Sequence, residues 1–401
     1  MKSRLLTSSL WAGLLILLTC SLGSATHAQT LNLPHYTVTD LGTLGGTYSY
    51  GYGINNAGVV SGGAATATQT GGIAETAFLW YGDHRLNLGT LGGTGCPNCS
   101  SEAGGPNESG ESALISETAN SDPNNEDFCA FGTHRQCLGA TWKDGTLTAL
   151  PTLPGGNNDQ AYWLNNRGQV VGFSENGIQD STCVTPYQVL RFEPVIWGPN
   201  GEIQKELSPL PGDTVAFAFG INDWGQAVGT SGLCSTTSLP PGGPSGAHAV
   251  LWEKDGTVVD VGNLGGRPIN VATGINNRGE VVGNSSLPDG SGQPFIWTRA
   301  TGIQPLGKFA GAVANVAPCC HTINDKGEVV GFSIDGTTGS VRAIVWLNKT
   351  PIDLNTLIPK DSPWYLLQAL SLNDAGQIVG FGTINGNVHA FLATPIEERD
   401  R

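Results

Sequence analysis

The chain has 401 residues, with 33 acidic against 19 basic side chains and a formal net charge of −14. A surface this acidic repels nucleic acid and anionic membranes, so we exclude both as partners. The 58 glycines recur at turn positions, which predicts an ordered, turn-rich fold rather than a disordered chain.

Residues 1–28 have the pattern of a secretory signal peptide. Lys2 and Arg4 precede the apolar run Leu10–Leu18, which is too short for a membrane span, and Thr26–Ala28 provides small residues before a cleavage site. Lipid attachment at Cys20 is an alternative, but the usual small residue before the cysteine is missing. We therefore expect an exported protein, periplasmic or extracellular, with no later span and a net charge of −16 once the signal is removed.

A short motif recurs along the whole chain: a hydrophobic residue, Asn, Asn or Asp, any residue, Gly, a polar residue and β-branched residues. Its leading asparagines are 48 to 58 residues apart. Asn, Asp and Gly tolerate the left-handed backbone region, so the motif predicts a hairpin turn between two antiparallel strands. A worn copy begins at Asn107. The clear copies are marked by Asn55 and Gly58, Asn165 and Gly168, Asn222 and Gly225, Asn276 and Gly279, Asn324 and Gly327, and Asn373 and Gly376.

A second motif, a short strand that ends in tryptophan, follows the first six of these seven turns, and another turn and strand complete each of those units, whereas the last unit has AFLA at Ala390–Ala393. Four short antiparallel strands in about 50 residues are typical of one blade of a β-propeller. The tryptophans are Trp80, Trp142, Trp197, Trp252, Trp297 and Trp346.

The two ends of the mature chain carry complementary pieces of a unit. Tyr36–Gly46 resembles the fourth-strand segment Thr257–Gly266, whereas His389–Pro395 is a third strand with no fourth strand after it. We therefore predict an all-β, seven-bladed propeller of four-stranded antiparallel blades, closed by pairing of the N-terminal strand with the last blade. Six blades is the alternative if the worn copy does not form one. The predicted propeller covers residues 29–396, with a Cys-rich insertion at about 94–140 and a tail at 397–401.

These sequences resemble a known repeat family. GINNRGEVVG, AHAVLW at Ala247–Trp252, HAFLA at His389–Ala393 and DLGTLGG are similar to the HAF-type repeat of bacterial extracellular proteins. The resemblance extends over about residues 36–395. It implies a secreted repeat protein, and it implies no established reaction and no catalytic residues.

Eight cysteines remain after the signal peptide, and an even number in an exported chain predicts disulfides. Four of them lie in one region of the second unit and are expected to staple it: Cys96, Cys99, Cys129 and Cys137. There are two alternatives: a redox pair at Cys96 and Cys99, or a zinc site of all four thiolates. An oxidising compartment disfavours both. We further expect a bridge between the loops of Cys183 and Cys234, and a vicinal disulfide at Cys319 and Cys320.

Loop lengths predict which face of the propeller binds other molecules. The Asn-containing turns and the turns after tryptophan are short, whereas connections on the opposite face, such as Phe173–Arg191, are long and variable. Binding residues concentrate on such loops. Trp163 replaces a small residue near the channel and is expected to pack there, to plug the channel or to offer a stacking surface. The candidate contact residues are Tyr48, Asp159, Trp163, Asp213, Arg267 and Trp364.

We predict a monomeric binding or scaffold module for a glycan, a peptide or an extracellular protein, with no cofactor. One alternative is a carbohydrate hydrolase or lyase that uses loop carboxylates such as Asp159, Asp213 and Asp361. Another is a purely structural extracellular repeat protein. The sequence contains no G-x-S-x-G, H-E-x-x-H or phosphate-binding loop. Calcium at the acidic turns is a weaker alternative, because the complete calcium-loop pattern is absent.

Overall fold

The structure, a computed structural model, describes residues 33–67, 75–237, 248–266, 269–319 and 321–396. The expected signal peptide at 1–28, the tail at 397–401, Arg267 and Cys320 lie outside the described residues. The described part is almost entirely β-structure. Its helical elements are α1 at Cys234–Thr237 and two 3₁₀ turns at Gly93–Gly95 and Leu354–Thr356.

The strands follow one another in groups of four, which we number as repeats one to seven. The N-terminal strand is β1 (Tyr36–Gly42). Repeat one contains β2 (Gly45–Ile54), β3 (Val60–Thr66), β4 (Thr76–Tyr81) and β5 (His84–Gly89). Repeat two contains β6 (Ser101–Pro106), β7 (Ser112–Ser121), β8 (Arg135–Lys143) and β9 (Thr146–Ala149). Repeat three contains β10 (Asp159–Leu164), β11 (Val170–Gln179), β12 (Leu190–Trp197) and β13 (Ile203–Glu206).

The later repeats have the same order of elements. Repeat four contains β14 (Val215–Ile221), β15 (Ala227–Gly232), β16 (His248–Trp252) and β17 (Val258–Asp260). Repeat five contains β18 (Asn270–Ile275), β19 (Val281–Ser286), β20 (Gly292–Thr298) and β21 (Gly302–Pro305). Repeat six contains β22 (Ala312–Val316), β23 (Val329–Asp335), β24 (Val341–Leu347) and β25 (Thr350–Asp353). Repeat seven contains β26 (Trp364–Leu372), β27 (Ile378–Ile384) and β28 (Asn387–Pro395).

Repeats two to six each form a separate four-stranded antiparallel sheet, with the strands in sequence order. In repeat seven, β1 lies antiparallel to β28, in a register that pairs Tyr36 with Pro395 and Asp40 with Phe391. A single parallel pair, Tyr48 with Val388, joins β2 to β28, so repeats one and seven share one eight-stranded sheet.

The leading asparagines form a closed ring of hydrogen bonds. The side-chain amide of Asn55 donates to the backbone carbonyl of Asn107, and each asparagine in turn donates to the next, until Asn373 donates to the carbonyl of Asn55. The donor–acceptor distances are 2.9 to 3.4 Å. The worn copy at Asn107 is a full member of this ring.

A second ring lies beside the first and explains the residue that follows each leading asparagine. The backbone N–H of Asn277 donates to the side chain of Asp325 at 2.8 Å, and the same bond links every repeat to the next at 2.8 to 2.9 Å. This position requires a short or flexible side chain with an acceptor oxygen. Asn, Asp and, in the worn copy, Glu108 provide it.

The turn explanation from sequence is therefore wrong in one respect. Among the described residues, the glycine of each turn has positive φ, as at Gly279 with φ +74°, but none of the leading asparagines does. Each asparagine instead accepts hydrogen bonds from backbone N–H groups of the turn through its side-chain oxygen. The Asn276 oxygen accepts from the backbone N–H groups of Arg278 and Glu280, at 3.1 and 3.0 Å, while its amide donates to the next repeat.

Several of the tryptophans anchor the connection that enters their own repeat. The indole N–H of Trp197 donates to the carbonyl of Pro151 at 2.9 Å, and Trp252 and Trp346 make equivalent bonds to Ser208 and Gly307. All three side chains are fully buried. A buried indole requires such an acceptor, so the conserved spacing of the motif within the chain has a direct structural reason.

The core consists of apolar clusters between neighbouring sheets rather than one central core. Val171 and Ile196 of repeat three pack with Ile221 and Val250 of repeat four. A cluster that contains Phe78 joins repeat one to residues of repeat seven in the same way. Each sheet therefore buries both faces against its neighbours, as stacked repeats do.

Three disulfides are present among the described residues. Cys96–Cys99 and Cys129–Cys137 have Cα–Cα distances of 5.3 and 6.1 Å, and Cys183–Cys234, which the sequence predicts, has 4.6 Å and joins repeats three and four. Cys319 is also disulfide-bonded.

The sequence suggests a single insertion at about 94–140, but the structure does not show one there. This region contains all of β6 and β7, and its first two cysteines precede β6. The connection expected at Phe173–Arg191 is also shorter, because β11 continues to Gln179 and β12 begins at Leu190. Polar residues at these strand ends still pair with the next strand, although the register shifts between Glu117 and Ser121 and between Glu175 and Gln179, and their polarity caused the incorrect prediction.

We predict that Asn276→Ala lowers the free energy of unfolding by at least about 2 kcal/mol, because it leaves buried backbone groups without partners. Urea unfolding followed by circular dichroism measures the change. Asn200→Ala, at an exposed turn after Trp197, is the matched control and should change stability by less than about 0.5 kcal/mol. Equal effects of the two substitutions would contradict a stabilising role for the ring.

Candidate functional site

A small polar cavity of about 80 Å³ lies against the asparagine rings. Its rim consists of turn residues from several repeats, including Asn56, Asp223 and Asp374, and its inner end is formed by Trp163 and His321. The turn carboxylates that suggested calcium already accept backbone N–H bonds. In the described part of the chain, no group of three or more His, Cys, Asp or Glu side chains is placed to hold a metal.

Trp163 and His321 stack face to face at the inner end of this cavity. Their ring centroids are 4.8 Å apart and the planes differ by 5°. The Trp163 ring also lies directly on the backbone of Gly105, where a Cβ atom would overlap it. Burial lowers the pKa of His321, although the carboxylates of Asp374 and Asp325 act in the opposite direction. The imidazole is therefore neutral at pH 7, and this suits a stacked, poorly hydrated position.

A larger chamber of about 290 Å³ lies beyond Trp163, which lines both cavities. The innermost strands of repeats one, two, three and seven contribute to its wall. Its lining is mainly apolar and aromatic, with few polar groups, which is the usual character of a small-molecule site. Its larger and polar lining side chains include Tyr52, Glu102, Tyr162, Trp163, Gln368 and Phe381.

Three tyrosines on β2 form a series whose last member, Tyr52, lines this chamber. Tyr48, Tyr50 and Tyr52 occupy alternate positions, with ring centroids 5.5 Å and then 6.2 Å apart. The Tyr50 and Phe381 rings make an edge-to-face contact, with their centroids 4.9 Å apart. Alternate residues of a strand share one face, so the three phenols form a continuous aromatic surface.

A pair of neighbouring carboxyl groups, Glu75 and Glu102, adjoins the chamber, and Glu102 lines it. The two side chains hydrogen-bond to each other, and the Tyr52 hydroxyl donates to Glu75 Oε1 at 3.3 Å. Burial raises the pKa of both carboxyls, and for Glu75 the charge of Glu102 raises it further. Two buried carboxyls in hydrogen-bond contact share a proton, because two like charges at this distance repel each other.

The pair has no counter-charge among the described residues. No Lys or Arg forms a salt bridge with either carboxyl in residues 33–67, 75–237, 248–266, 269–319 and 321–396. Glu75 is buried, and its Oε2 atom has no hydrogen-bond partner in that part of the chain. A protonated carboxyl can donate a hydrogen bond and an ionised one can accept a proton or hold a cation, so the pair can act in either way.

A second acidic cluster, formed by Asp122, Glu126 and Glu175, lies outside the chamber. Burial and the nearby Glu126 carboxyl raise the pKa of Glu175 to about 9. Its Oε2 accepts from the backbone N–H groups of Asn157 and Asn158, and its Oε1 accepts from the Gln188 amide. Here every carboxylate oxygen has a donor, so this cluster has a structural explanation: it joins repeat two to repeat three.

The residues predicted from sequence do not form one site. Tyr48 begins the tyrosine series and Trp163 separates the two cavities. Asp159 is fully buried, where its Oδ1 accepts from the backbone N–H of Gly139 and burial raises its pKa. Asp213 accepts from the Ser231 hydroxyl at 2.6 Å, and Trp364 packs edge-on against Phe391 with centroids 6.2 Å apart. Arg267 lies outside the described residues.

Sequence reasoning missed Glu75, Glu102, Tyr52 and His321. Seven of the twelve chamber residues lie three or five positions before a leading asparagine. The sequence pattern of small residues instead concerns the positions two and four before each leading asparagine. An alignment of the repeats provides the signal for Glu102, because it is the only charged residue at its position. The equivalent residues are Tyr50, Gln160, Phe217, Val271, Cys319 and Gln368.

No family model matches the sequence, and no curated protein matches it. Solved structures with propeller folds do resemble it. Virginiamycin B lyase from Staphylococcus aureus is 11% identical with a TM-score of 0.51, and the match covers 90% of this chain and 100% of that one. The β-propeller domain of the Trilobed protease from Pyrococcus furiosus is 12% identical with a TM-score of 0.49, and the match covers 86% and 93%.

A third match is the acylaminoacyl peptidase from Pyrococcus horikoshii, at 9% identity and a TM-score of 0.50, which covers 87% of this chain. The chain spans only 52% of that peptidase, and 50% of a puromycin hydrolase that it also resembles. At these identities the likeness shows the fold alone: the chain has a β-propeller-like, all-β fold. Among the described residues, no helix is long and apolar enough to cross a membrane.

We predict that the protein loses stability as pH rises from about 5 to about 9, because the folded state holds a proton on Glu175 that the unfolded chain has released. Glu175→Gln keeps an uncharged side chain at every pH and should reduce this slope. Thermal unfolding midpoints measured across that range test it. Glu202→Gln, at an exposed turn residue, should keep the slope of the wild type, and an unchanged slope in Glu175→Gln would contradict the prediction.

Proposed function

We propose that the chain is a closed, seven-bladed β-propeller that acts after export as a binding module. The ring of seven asparagine hydrogen bonds and the pairing of β1 with β28 support seven blades and closure. Three disulfides suit an oxidising compartment. The signal peptide and the HAF-type repeat remain proposals from the sequence.

The observation that carries the binding function is the aromatic chamber in the channel. It offers about 290 Å³, almost twice the roughly 150 Å³ of an apolar cavity that holds a benzene molecule. Tyr52, Tyr162, Trp163 and Phe381 provide flat apolar surfaces, while Glu102 and Gln368 provide polar groups that can orient a ligand. A small molecule, or one protruding group of a glycan or peptide held on the loop face, fits this arrangement.

A second candidate is an enzyme that uses Glu75 and Glu102 as acid and base. The carboxyls share a proton inside a chamber, and perturbed acid pairs of this kind are frequent in catalytic sites. The pair differs from the loop-face carboxylates that the sequence suggested. Their direct hydrogen bond places them closer than the separations of about 5 Å or more that are usual in glycosidases. Binding is therefore the better supported function.

We predict that Tyr52→Ala weakens binding of chamber ligands by about tenfold or more, because it removes one aromatic wall and the hydroxyl that orients Glu75. A screen of glycans and short peptides on the mature protein identifies ligands, and calorimetry with purified variants measures the loss. Tyr81→Ala, at an exposed tyrosine outside the chamber, is the matched control.

Equal affinity in the Tyr52 and Tyr81 variants would place the ligand elsewhere and refute the chamber as the site. Turnover of a ligand that stops in Glu102→Gln, while binding persists, would favour the enzyme instead.

A further inference from the structure

The two acidic clusters differ in a way that points to a ligand. Every carboxylate oxygen of the Asp122, Glu126 and Glu175 cluster has a donor from the protein. Glu75 Oε2 has none among the described residues, and Asp159 Oδ2 and Glu193 Oε2 share this property, but of the three acids only Glu75 is hydrogen-bonded to a residue, Glu102, that lines the chamber. Glu75 itself does not line the chamber, so a bound group meets the pair through Glu102, which does.

The chamber has the acidic and aromatic groups that attract a cation, and its described lining residues include no Lys or Arg. The carboxyl pair adjoins a cavity whose wall contains Tyr52, Tyr162, Trp163 and Phe381. The negative faces of aromatic rings attract organic ammonium groups, most strongly where water is excluded. The net charge of −14 adds a long-range attraction for positive ligands.

The same features disfavour the other ligand classes. An anion would meet two acids and no Lys or Arg among the described lining residues. A divalent metal requires six or more oxygen ligands for calcium or three for zinc, whereas most of this wall is apolar. A neutral ligand can bind, but it leaves the acid pair without a counter-charge.

We propose that the chamber binds an organic cation: an ammonium group on an apolar or aromatic body, with the ammonium against Glu102, the member of the acid pair that lines the chamber, and the body against the aromatic wall. This inference rests on the proposed binding function and specifies its ligand class. The free pair holds a shared proton, and the ammonium ion replaces that proton as the positive partner. Binding at neutral pH therefore releases one proton to solvent for each cation bound.

The released proton has a single source among the groups that face the pair. The other titratable groups there are Tyr48, Tyr50 and Tyr52 on β2 and Tyr162 on β10. Burial raises the pKa of all four phenols, that of Tyr48 to about 12; the Glu75 and Glu102 carboxyls raise it further for the three β2 tyrosines, and the Glu102 carboxyl does so for Tyr162. The phenols remain protonated near pH 7, so proton release reports on the carboxyl pair.

The experiment compares 2-phenylethylamine with its neutral analogue 2-phenylethanol on the mature protein. Calorimetry at pH 7 in two buffers of different ionisation enthalpy gives both the affinity and the number of protons released. We expect the amine to bind at least about tenfold more tightly than the alcohol, a difference of about 1.4 kcal/mol, with release of close to one proton. The alcohol should release none.

Glu102→Gln removes one member of the pair and should weaken amine binding by about tenfold or more, abolish proton release and leave the alcohol within about twofold. Glu193→Gln is the matched control, since it changes another carboxyl whose pKa burial raises but which lies outside the chamber. It should bind both probes like the wild type. If Glu102→Gln fails to fold, the wild type alone suffices, because proton release should decline as rising pH ionises the free pair.

Equal affinities for amine and alcohol, or amine binding without proton release, would overturn the cation inference. The proposed binding function has a separate outcome. If a neutral glycan or peptide binds in a Tyr52-dependent manner while the amine does not, the chamber is a binding site and only its ligand class is wrong. If nothing depends on Tyr52, both proposals fail.

Discussion

Each leading asparagine makes one bond that its own repeat cannot satisfy. Its side-chain oxygen completes the local turn, whereas its amide donates to the backbone of the next repeat, as from Asn276 to Asn324 at 2.9 Å. Successive bonds return to the start at Asn55. Because each member is both donor to one neighbour and acceptor for the other, the geometry of every sheet depends on all the others. Cooperative hydrogen-bond networks of this kind fix a unique arrangement.

The ring also determines where a cavity can form. It draws the innermost strands together at one end of the channel, where Trp163 and His321 fill the remaining space. Beyond Trp163 the strands carry side chains of very different size, from Gly104 to Tyr162. The rings keep one end nearly uniform in every repeat, while the chamber behind it is asymmetric. A regular scaffold with one irregular pocket is a common way to combine stability with binding.

The sequence predicts the strands well because turn chemistry and alternation are local properties. The Asn–Gly turns and the Trp strands appear where the repeats place them, and the Cys183–Cys234 bridge follows from the equivalence of two loops. The chamber is different, because it depends on contacts between repeats. Glu75 precedes β4 and Glu102 lies in β6, and they meet because the Ser101 N–H donates to the Glu75 carbonyl at 3.0 Å. Nothing in either local pattern indicates that contact.

Burial of an acid has a cost that some other interaction must offset. For Glu175 that interaction is visible: two backbone N–H groups and a glutamine amide surround it, and the result joins two repeats. For Glu75 the protein supplies the Tyr52 hydroxyl and the shared proton of Glu102, and one oxygen remains without a partner among the described residues. A glutamine or leucine at either position would avoid this cost without loss of packing volume. Asp159 Oδ2 and Glu193 Oε2 also lack partners among the described residues, so an unpartnered oxygen does not by itself mark a site; the Glu75 pair differs because Glu102 lines an open aromatic chamber. Perturbed acids at a cavity are candidates for a functional site, which is why we propose binding at the chamber and not at the regular ring.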